Sequence, residues 1–386
     1  MKTIYLDYNA TTPLDQRVLE KMIPYFTEKY GNTDSYNHFF GWESKEALES
    51  SRELIANFIN ANPNEIIFTS GATESINLGI KGFCQNNSSN KNHIISQVTE
   101  HKAVLNTLEQ VKNFGWEITL LPVNEYGMID YDELINSITP KTSLVVLMHA
   151  NNEIGTIHDI KKIGQICKDN NLFFFTDVAQ TYGKIDLDVN SMNIDLLSAS
   201  AHKIYGPKGV GFLYARKKNK EINLFPLISG GGQEFGMRSG TTPVPLIVGL
   251  AEASKISLNQ LLKEQKKIKS LRDNFLNQII QHLPDTKING SIEQRLNNNI
   301  NLSFPKIDAE ALLSKLNTIA CSTGSACSSN LLESSYVLKS IGLDEELALS
   351  SIRVSFGRNN NNDNIIFAAN EIIKAVKKIR NNYSII

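Results

Sequence analysis

Cysteine is scarce in this chain: Cys84, Cys167, Cys321 and Cys327 are the only four among 386 residues. A chain this long with so few cysteines is not a disulfide-framed scaffold, and a reducing cytoplasm suits it. Cys321 and Cys327 are separated by five residues and have no second Cys/His pair nearby, which is not a zinc pattern. Long apolar runs are absent as well. The opening Met1-Lys2-Thr3-Ile4-Tyr5-Leu6 meets an acid at Asp7, so neither a secretory signal nor a membrane span is expected. Charge of one sign is also lacking: 39 Lys and Arg against 40 Asp and Glu leave a net charge of -1. That balance gives no electrostatic footprint for nucleic acid. No internal repeat or long low-complexity segment is visible.

What is present is an ordinary globular composition, 41% hydrophobic and 20% charged. A length of 386 residues exceeds one compact core and predicts two domains. From about residue 60 to 250, short apolar runs alternate with helix-like stretches. Strands are predicted at Glu65–Thr69, His93–Val98, Ile118–Val123, Leu144–Met148, Leu172–Thr176, Asp195–Ser200 and Val210–Tyr214. Several are apolar on both faces, such as Leu144-Val145-Val146-Leu147-Met148, as in a mostly parallel sheet covered by helices. Amphipathic segments such as Ile160–Asn170 lie between them, which is an α/β pattern. A long helix over about Val248–Leu283 leads toward a smaller domain. That domain would hold strands at Asn299–Phe304 and Ser351–Phe356 and a last helix from Asp363 to Arg380. Asn359–Asn362 reads as a loop and helix cap.

Several strand ends carry chemistry. Lys203 lies in Ser198-Ala199-Ser200-Ala201-His202-Lys203, where an amine among small polar residues can form a Schiff base with an aldehyde cofactor. Ser70-Gly71-Ala72-Thr73-Glu74-Ser75 is either a phosphate cradle at a helix N-terminus or a glycine turn with a helix cap. Asp177, closing an apolar strand, would pair with a pyridinium nitrogen or cap the next helix. His101 would stack on a flat ring and move protons, or cap a helix. The glycine run Gly230–Gly232 and Arg238-Ser239-Gly240-Thr241 form a loop of anion-binding character or a plain surface loop. Arg353 in a β-like run suits bidentate capture of a carboxylate, or is an edge-strand arginine. Cys327, among Gly, Ser and Ala, has the setting of an exposed nucleophile, whereas Cys321 reads as structural. Taken together these are the parts of a pyridoxal-phosphate site.

The chain resembles the class V aminotransferase family, and within it the NifS/IscS-like cysteine desulfurases, nearly end to end. The resemblance rests on Tyr5–Pro13, Thr69–Ser75, Thr99–Val104, Asn151–Gly155, His202–Gly209, Met237–Thr241 and Gly324–Cys327. It implies a fold-type-I α/β architecture with a mainly parallel seven-stranded sheet. The implied division is an N-terminal segment at 1–15 packing with the small domain, a large cofactor-binding domain at 16–255 and a small α+β domain at 256–386. It also implies a cytoplasmic homodimer whose cofactor is pyridoxal 5'-phosphate. Lys203 would hold that cofactor. Ala72, Thr73, Ser200 and His202 would bind its phosphate, with Thr241 reaching from the second subunit. Asp177 would pair with the ring nitrogen, Gln180 with the ring hydroxyl, and His101 would stack on the ring. Asn152 and Arg353 would take the substrate carboxylate.

The implied reaction converts L-cysteine to L-alanine and leaves a persulfide on Cys327. An acceptor protein then takes the sulfur for iron–sulfur clusters or tRNA thiolation. Selenocysteine lyase, or another enzyme of the same fold, is the alternative. The chain departs from the family pattern at Thr33 and Ser334, where proline is usual, and at Phe235, where arginine is usual.

Overall fold

A computed structural model describes residues 3–87, 91–217, 222–323 and 334–383; Cys327 lies outside the described residues. The strands in chain order are β1 (Ile4–Tyr5), β2 (Ile66–Thr69), β3 (His93–Gln97), β4 (Glu117–Leu121), β5 (Thr142–Val146), β6 (Phe173–Asp177), β7 (Leu196–Ser200), β8 (Gly211–Ala215), β9 (Lys287–Ile288), β10 (Asn299–Ser303), β11 (Ile319–Ala320) and β12 (Ser351–Ser355). Seven of them form one sheet in the order β2-β8-β7-β6-β5-β3-β4. All seven strands expected between residues 60 and 250 are in it.

Both faces of this sheet are covered, and the side-chain alternation of a strand explains how. Val145, Phe174, Phe212 and Tyr214 point into one apolar cluster. Leu144, Val146, Phe175, Leu213 and Ala215 point into another on the opposite face. Each such side chain contributes roughly 1.5–3 kcal/mol by leaving water, so the apolar runs sit in the centre of the sheet. The strands from β7 through β6, β5, β3 and β4 are parallel. β8 runs antiparallel to both β7 and β2, so it alone is reversed. The carboxyl ends of the other six therefore share one edge.

The helix Val244–His282 is longer than expected and spans two cores. Ile247, Leu250 and Ile256 belong to the sheet's cluster. Leu271, Phe275 and Ile279 belong to a separate cluster with β10, β12 and the last helix, Asn362–Tyr383. β12, β10 and β9 make a three-stranded antiparallel sheet in that region. The N-terminal segment joins it: β1 pairs with β11, Asp7 bridges to Ser355, and Leu6 is fully buried in that cluster. The helix Phe39–Phe58 was not anticipated from the sequence. Among the described residues, no helix is long and apolar enough to cross a membrane.

Candidate active site

The site forms where the carboxyl edge of the large sheet meets the N-terminal segment, the crevice in which open α/β sheets bind ligands. β7 ends at Ser200 and passes into a single turn, Ala201–Lys203, that aims Lys203 back at the edge. The Lys203 ammonium donates to the carbonyls of Asn9 at 2.6 Å and Ala10 at 2.7 Å. Thr12 fastens the same segment by donating its N–H and its hydroxyl to the His202 carbonyl, each at 2.9 Å. Thr12 Oγ1 also accepts from Tyr205 N–H at 2.7 Å, and His202 Nδ1 lies 3.0 Å from Thr11 Oγ1. Burial, with Lys203 beside it, pushes His202 down to about 4, so this imidazole is neutral at pH 7.

Asn9 is a hub that sequence reasoning passed over. Its carbonyl also accepts from Gln180 Nε2 at 3.0 Å, its amide donates to the Asn152 carbonyl at 3.1 Å, and its Oδ1 accepts from Asn298 at 2.8 Å. The only signal was its place inside the Tyr5–Pro13 run, since an uncharged side chain offers no titration chemistry to notice.

Asp177 closes β6 and is buried. It accepts from Ala179 N–H at 2.9 Å and Ser198 Oγ at 3.2 Å. Burial raises its pKa, while those two bonds and the nearby His101 and Lys203 favour the ionised form. His101 caps the helix Lys102–Lys112, with Nδ1 accepting from Ala103 N–H at 3.1 Å. The neutral ring therefore carries its proton on Nε2. Burial lowers its pKa and the Asp177 carboxylate opposes that. His101 thus has the capping role that the sequence offered as one of its two readings.

Two further buried ionisable groups went unnoticed in the sequence. Glu100 has no solvent exposure, and burial raises it to about 8; its Oε1 accepts from Met148 N–H at 2.6 Å and Gln97 at 3.0 Å. Lys184 is lowered to about 7 by burial and then by Lys203, and its shielded side-chain nitrogen has no hydrogen-bond partner among the described residues.

The Ser70–Ser75 turn leads from β2 into the helix Ala72–Asn86, whose N-terminus has no side-chain cap. Its leading amides therefore stay available to an anion. Gly71 has φ 152°, and a Cβ on Gly211 would stand 2.7 Å from Gly71 Cα, so glycine alone lets this turn lie on β8. Ser200 is buried beside this turn, whereas Thr73 and Thr241 are exposed. Glu74 is held below the usual carboxylate range by Arg238 and Ser70, against the opposing effect of its burial; it accepts from Ser70 N–H at 2.7 Å and Arg238 Nε at 2.9 Å.

Arg353 is buried on β12. Its Nη2 donates to Asp7 Oδ1 at 2.8 Å and Ser322 Oγ at 3.0 Å, and its Nη1 to the Asn152 carbonyl at 3.1 Å. Its buried Nε has no hydrogen-bond partner among the described residues. The fold thus brings Asn152 to Arg353, but through Asn152's backbone rather than its amide. Phe235 has φ 58°, and its ring lies 5.0 Å from the Arg52 guanidinium, which is ion-paired with Glu234 at 2.8 Å.

The donor set fits pyridoxal phosphate. An uncapped helix N-terminus suits its phosphate, the buried Oε1 of Gln180, unpartnered among the described residues, suits a ring hydroxyl, and a buried carboxylate suits its ring nitrogen. Among the described residues no cluster of His, Cys, Asp or Glu could hold a metal.

Known proteins agree with this geometry. The family model described as "Aminotransferase class-V" matches residues 4–366. A relative named "Cysteine desulfurase IscS" from Rickettsia rickettsii (strain Iowa) is 50% identical over 377 residues, 98% of this chain and 92% of its own. One of the same name from Rickettsia prowazekii (strain Madrid E) is also 50% identical, with the same coverage. Among solved structures, a "NIFS-LIKE PROTEIN" superposes with TM-score 0.91 at 36% identity, covering 97% of this chain and 99% of that one. "SspA in complex with cysteine" superposes with TM-score 0.80 at 38% identity, covering 92% and 99%. With a family model spanning nearly its whole length and half of its residues shared with such relatives, this chain belongs to the class V aminotransferase family.

Proposed function

We propose that this protein is a pyridoxal-phosphate-dependent cysteine desulfurase that moves sulfur from L-cysteine to Cys327. The observation that carries the reading is the convergence of three groups on one crevice. Lys203 is held on the carbonyls of Asn9 and Ala10, Asp177 is buried at the end of β6, and Arg353 is buried with its Nη1 donating to the Asn152 carbonyl at 3.1 Å. The relatives' name, cysteine desulfurase, supports the substrate.

When bound, the cofactor supplies an electron sink that makes the substrate's Cα–H bond acidic and its Cβ–S bond labile. The chain's own residues do the rest. Asp177 stays ionised against a cationic ring nitrogen, which offsets its burial. His101 would stack on the ring of the bound cofactor. Arg353 receives the α-carboxylate by charge-assisted hydrogen bonds. Lys203, freed from the carbonyls of Asn9 and Ala10, takes the α-proton and moves it. The Cys327 thiolate attacks the substrate sulfur. An S–S bond forms, the Cβ–S bond breaks, and its electron pair stays with the carbon. That carbon takes up a proton and leaves as L-alanine. L-cysteine and a thiol thus become alanine and a persulfide, with no outside oxidant. Cys84 and Cys167 are buried, and burial with the nearby Asp7 holds the Cys321 thiol up at about 12, so none of these offers a thiolate.

We further place the molecule in the cytoplasm as a homodimer, with a large domain at 16–255, a small domain at 256–386 and residues 1–15 packed on the latter. Thr241 of a second copy would complete the phosphate site. The exposed aromatics Phe26, Tyr30, Tyr36, Phe39 and Trp42, with Tyr36 87% exposed, support an interface. The sulfur acceptor would be an iron–sulfur scaffold or a tRNA-thiolation protein. The test is to incubate purified yellow enzyme with L-cysteine and a thiol reductant and to quantify alanine and sulfide together. Equal amounts are expected; a loaded enzyme that makes no alanine would overturn the reading.

A further inference from the structure

The turn that carries Lys203 ends on a tyrosine where the geometry calls for glycine. The Ala201 carbonyl accepts from Ile204 N–H and from Gly206 N–H, each at 3.0 Å. The six-residue closure from Gly206 back to Ala201 is the pattern of a helix end whose penultimate residue takes positive φ, a place glycine usually fills. Here that residue is Tyr205, at φ 66°, two positions beyond Lys203. A side chain costs strain in this region and persists only where its surroundings fix it.

Two segments fix it. Such a turn ordinarily closes with a second bond, which here would run from Tyr205 N–H to the His202 carbonyl. Thr12 stands in between: its hydroxyl accepts from Tyr205 N–H at 2.7 Å and donates to the His202 carbonyl at 2.9 Å. Asp15, in the same N-terminal segment, donates its N–H to the Tyr205 carbonyl at 3.0 Å. From the other side comes Arg358, just beyond β12. Its backbone N–H donates to the Tyr205 hydroxyl at 2.6 Å, and its guanidinium lies 4.1 Å from the centre of the Tyr205 ring. Arg358 is fixed in turn, with Nη1 paired to Asp15 Oδ2 and Nε to Glu264 Oε1, both at 2.5 Å. Glu264 lies on the long helix between Ile256 of the sheet's cluster and Leu271 of the smaller one. Arg358 therefore joins the Lys203 turn to the N-terminal segment, to the long helix and to the strand that carries Arg353, five residues earlier.

We propose that Tyr205 and Arg358 are positioning residues for Lys203, the guanidinium bearing on the tyrosine ring to set where the lysine's amine points. The inference rests on the desulfurase reading, in which Lys203 moves the α-proton and Arg353 takes the carboxylate. A tyrosine kept only to close the turn could be replaced by glycine without loss, since glycine takes this φ without strain. A tyrosine kept as a handle for Arg358 could not. Losing the handle misaims the amine and slows proton transfer. Arg353 meanwhile keeps its bonds to Asp7, Ser322 and Asn152. The loss therefore falls on kcat and leaves KM in place.

The test takes Tyr205→Gly, Tyr205→Phe, Arg358→Lys and the Tyr205→Gly/Arg358→Lys double variant of the full chain. It reads kcat and KM for L-cysteine in the holoenzyme. It also reads the rate at which cofactor absorbance returns when the cofactor-free chain is mixed with pyridoxal phosphate. Tyr205→Gly and Arg358→Lys are each expected to lower kcat and that rate about tenfold, with KM within about twofold of wild type. Tyr205→Phe, which keeps the ring and loses the hydroxyl, should fall about threefold on both. The double variant should fall no further than the worse single one, because both substitutions act through one contact. Wild-type values in Tyr205→Gly, losses that multiply in the double variant, or a raised KM at unchanged kcat would overturn the inference. Should the glycine or lysine variant fail to fold, Tyr205→Phe decides, and wild-type values there on both readouts would overturn it. A wild-type enzyme that makes no alanine would instead sink the desulfurase reading beneath it, while the rates of cofactor uptake would still test the aim of Lys203.

Discussion

The ammonium of Lys203 rests 2.6 Å from the carbonyl oxygen of Asn9, a residue 194 positions away in sequence. That same carbonyl accepts from Gln180 at 3.0 Å. One backbone oxygen thus ties together the lysine and the glutamine proposed to face the cofactor. It also places the N-terminal segment inside the site rather than beside it.

Replacing Lys203 removes the amine held on the Asn9 and Ala10 carbonyls. Lys203→Ala is expected to lose the visible absorbance of covalently held cofactor and nearly all alanine formation. Absorbance spectra and a turnover assay check this; wild-type rates in the variant would remove Lys203 from the mechanism.

Among the four cysteines, the proposed nucleophile and the thiol nearest to it in sequence should behave oppositely. Cys327→Ser should keep bound cofactor and lose sulfide release from L-cysteine. Cys321→Ala should stay within about twofold of wild type, because that thiol is held protonated at about 12 by burial and by Asp7. Mass spectrometry should find the persulfide on Cys327 and not on Cys321.

Arg353 makes three hydrogen bonds in a buried setting. Arg353→Ala removes the cation proposed to bind the substrate carboxylate, and loss of such a charge-assisted contact is worth roughly 1.5–3 kcal/mol. KM for L-cysteine should rise by about ten- to a hundredfold. Arg353→Lys should rescue little, since an ammonium cannot reach Asp7, Ser322 and Asn152 from one planar fork. Steady-state kinetics decide; an unchanged KM would move carboxylate binding elsewhere.

Glu100 is held up at about 8 by burial, against 4.5 for an ordinary glutamate. Between these values the folded chain keeps a proton that the unfolded chain releases. Stability from this group is therefore present at low pH and is lost as pH rises through that window. Glu153, raised to about 7 by burial, acts in the same direction. Thermal unfolding of Glu100→Gln should match wild type near pH 5 and exceed it increasingly toward pH 8. A wild-type melting temperature that rises over this range would contradict the assignment.

Much of this architecture was legible before any coordinates. Val145 and Leu144 point into opposite apolar clusters, and a run that is apolar at successive positions announces such a two-faced strand directly. Lys203, Asp177 and His101 were legible because their residue types are chemically conspicuous where strands give way to turns. The reversal of β8 was not: Phe212 and Leu213 fit a covered strand in either direction, and the hydrogen-bonding partner sets the sense. Nor was the helix Phe39–Phe58, whose first turn exposes Phe39, Phe40 and Trp42 instead of burying them.

Local residue order thus settled which segments become covered strands and which residue types stand at their ends. Those are properties of neighbours along the chain, set by side-chain alternation and by the acid–base character of single groups. The meeting of Arg353 with Asp7, 346 residues apart, and of Lys203 with Asn9 depended on folding. Each joins a charged group to an acceptor that has no local pattern to betray it. Such pairs form where the polar edges of two apolar cores carried on one long helix face each other, and where burying a charge without a partner is costly.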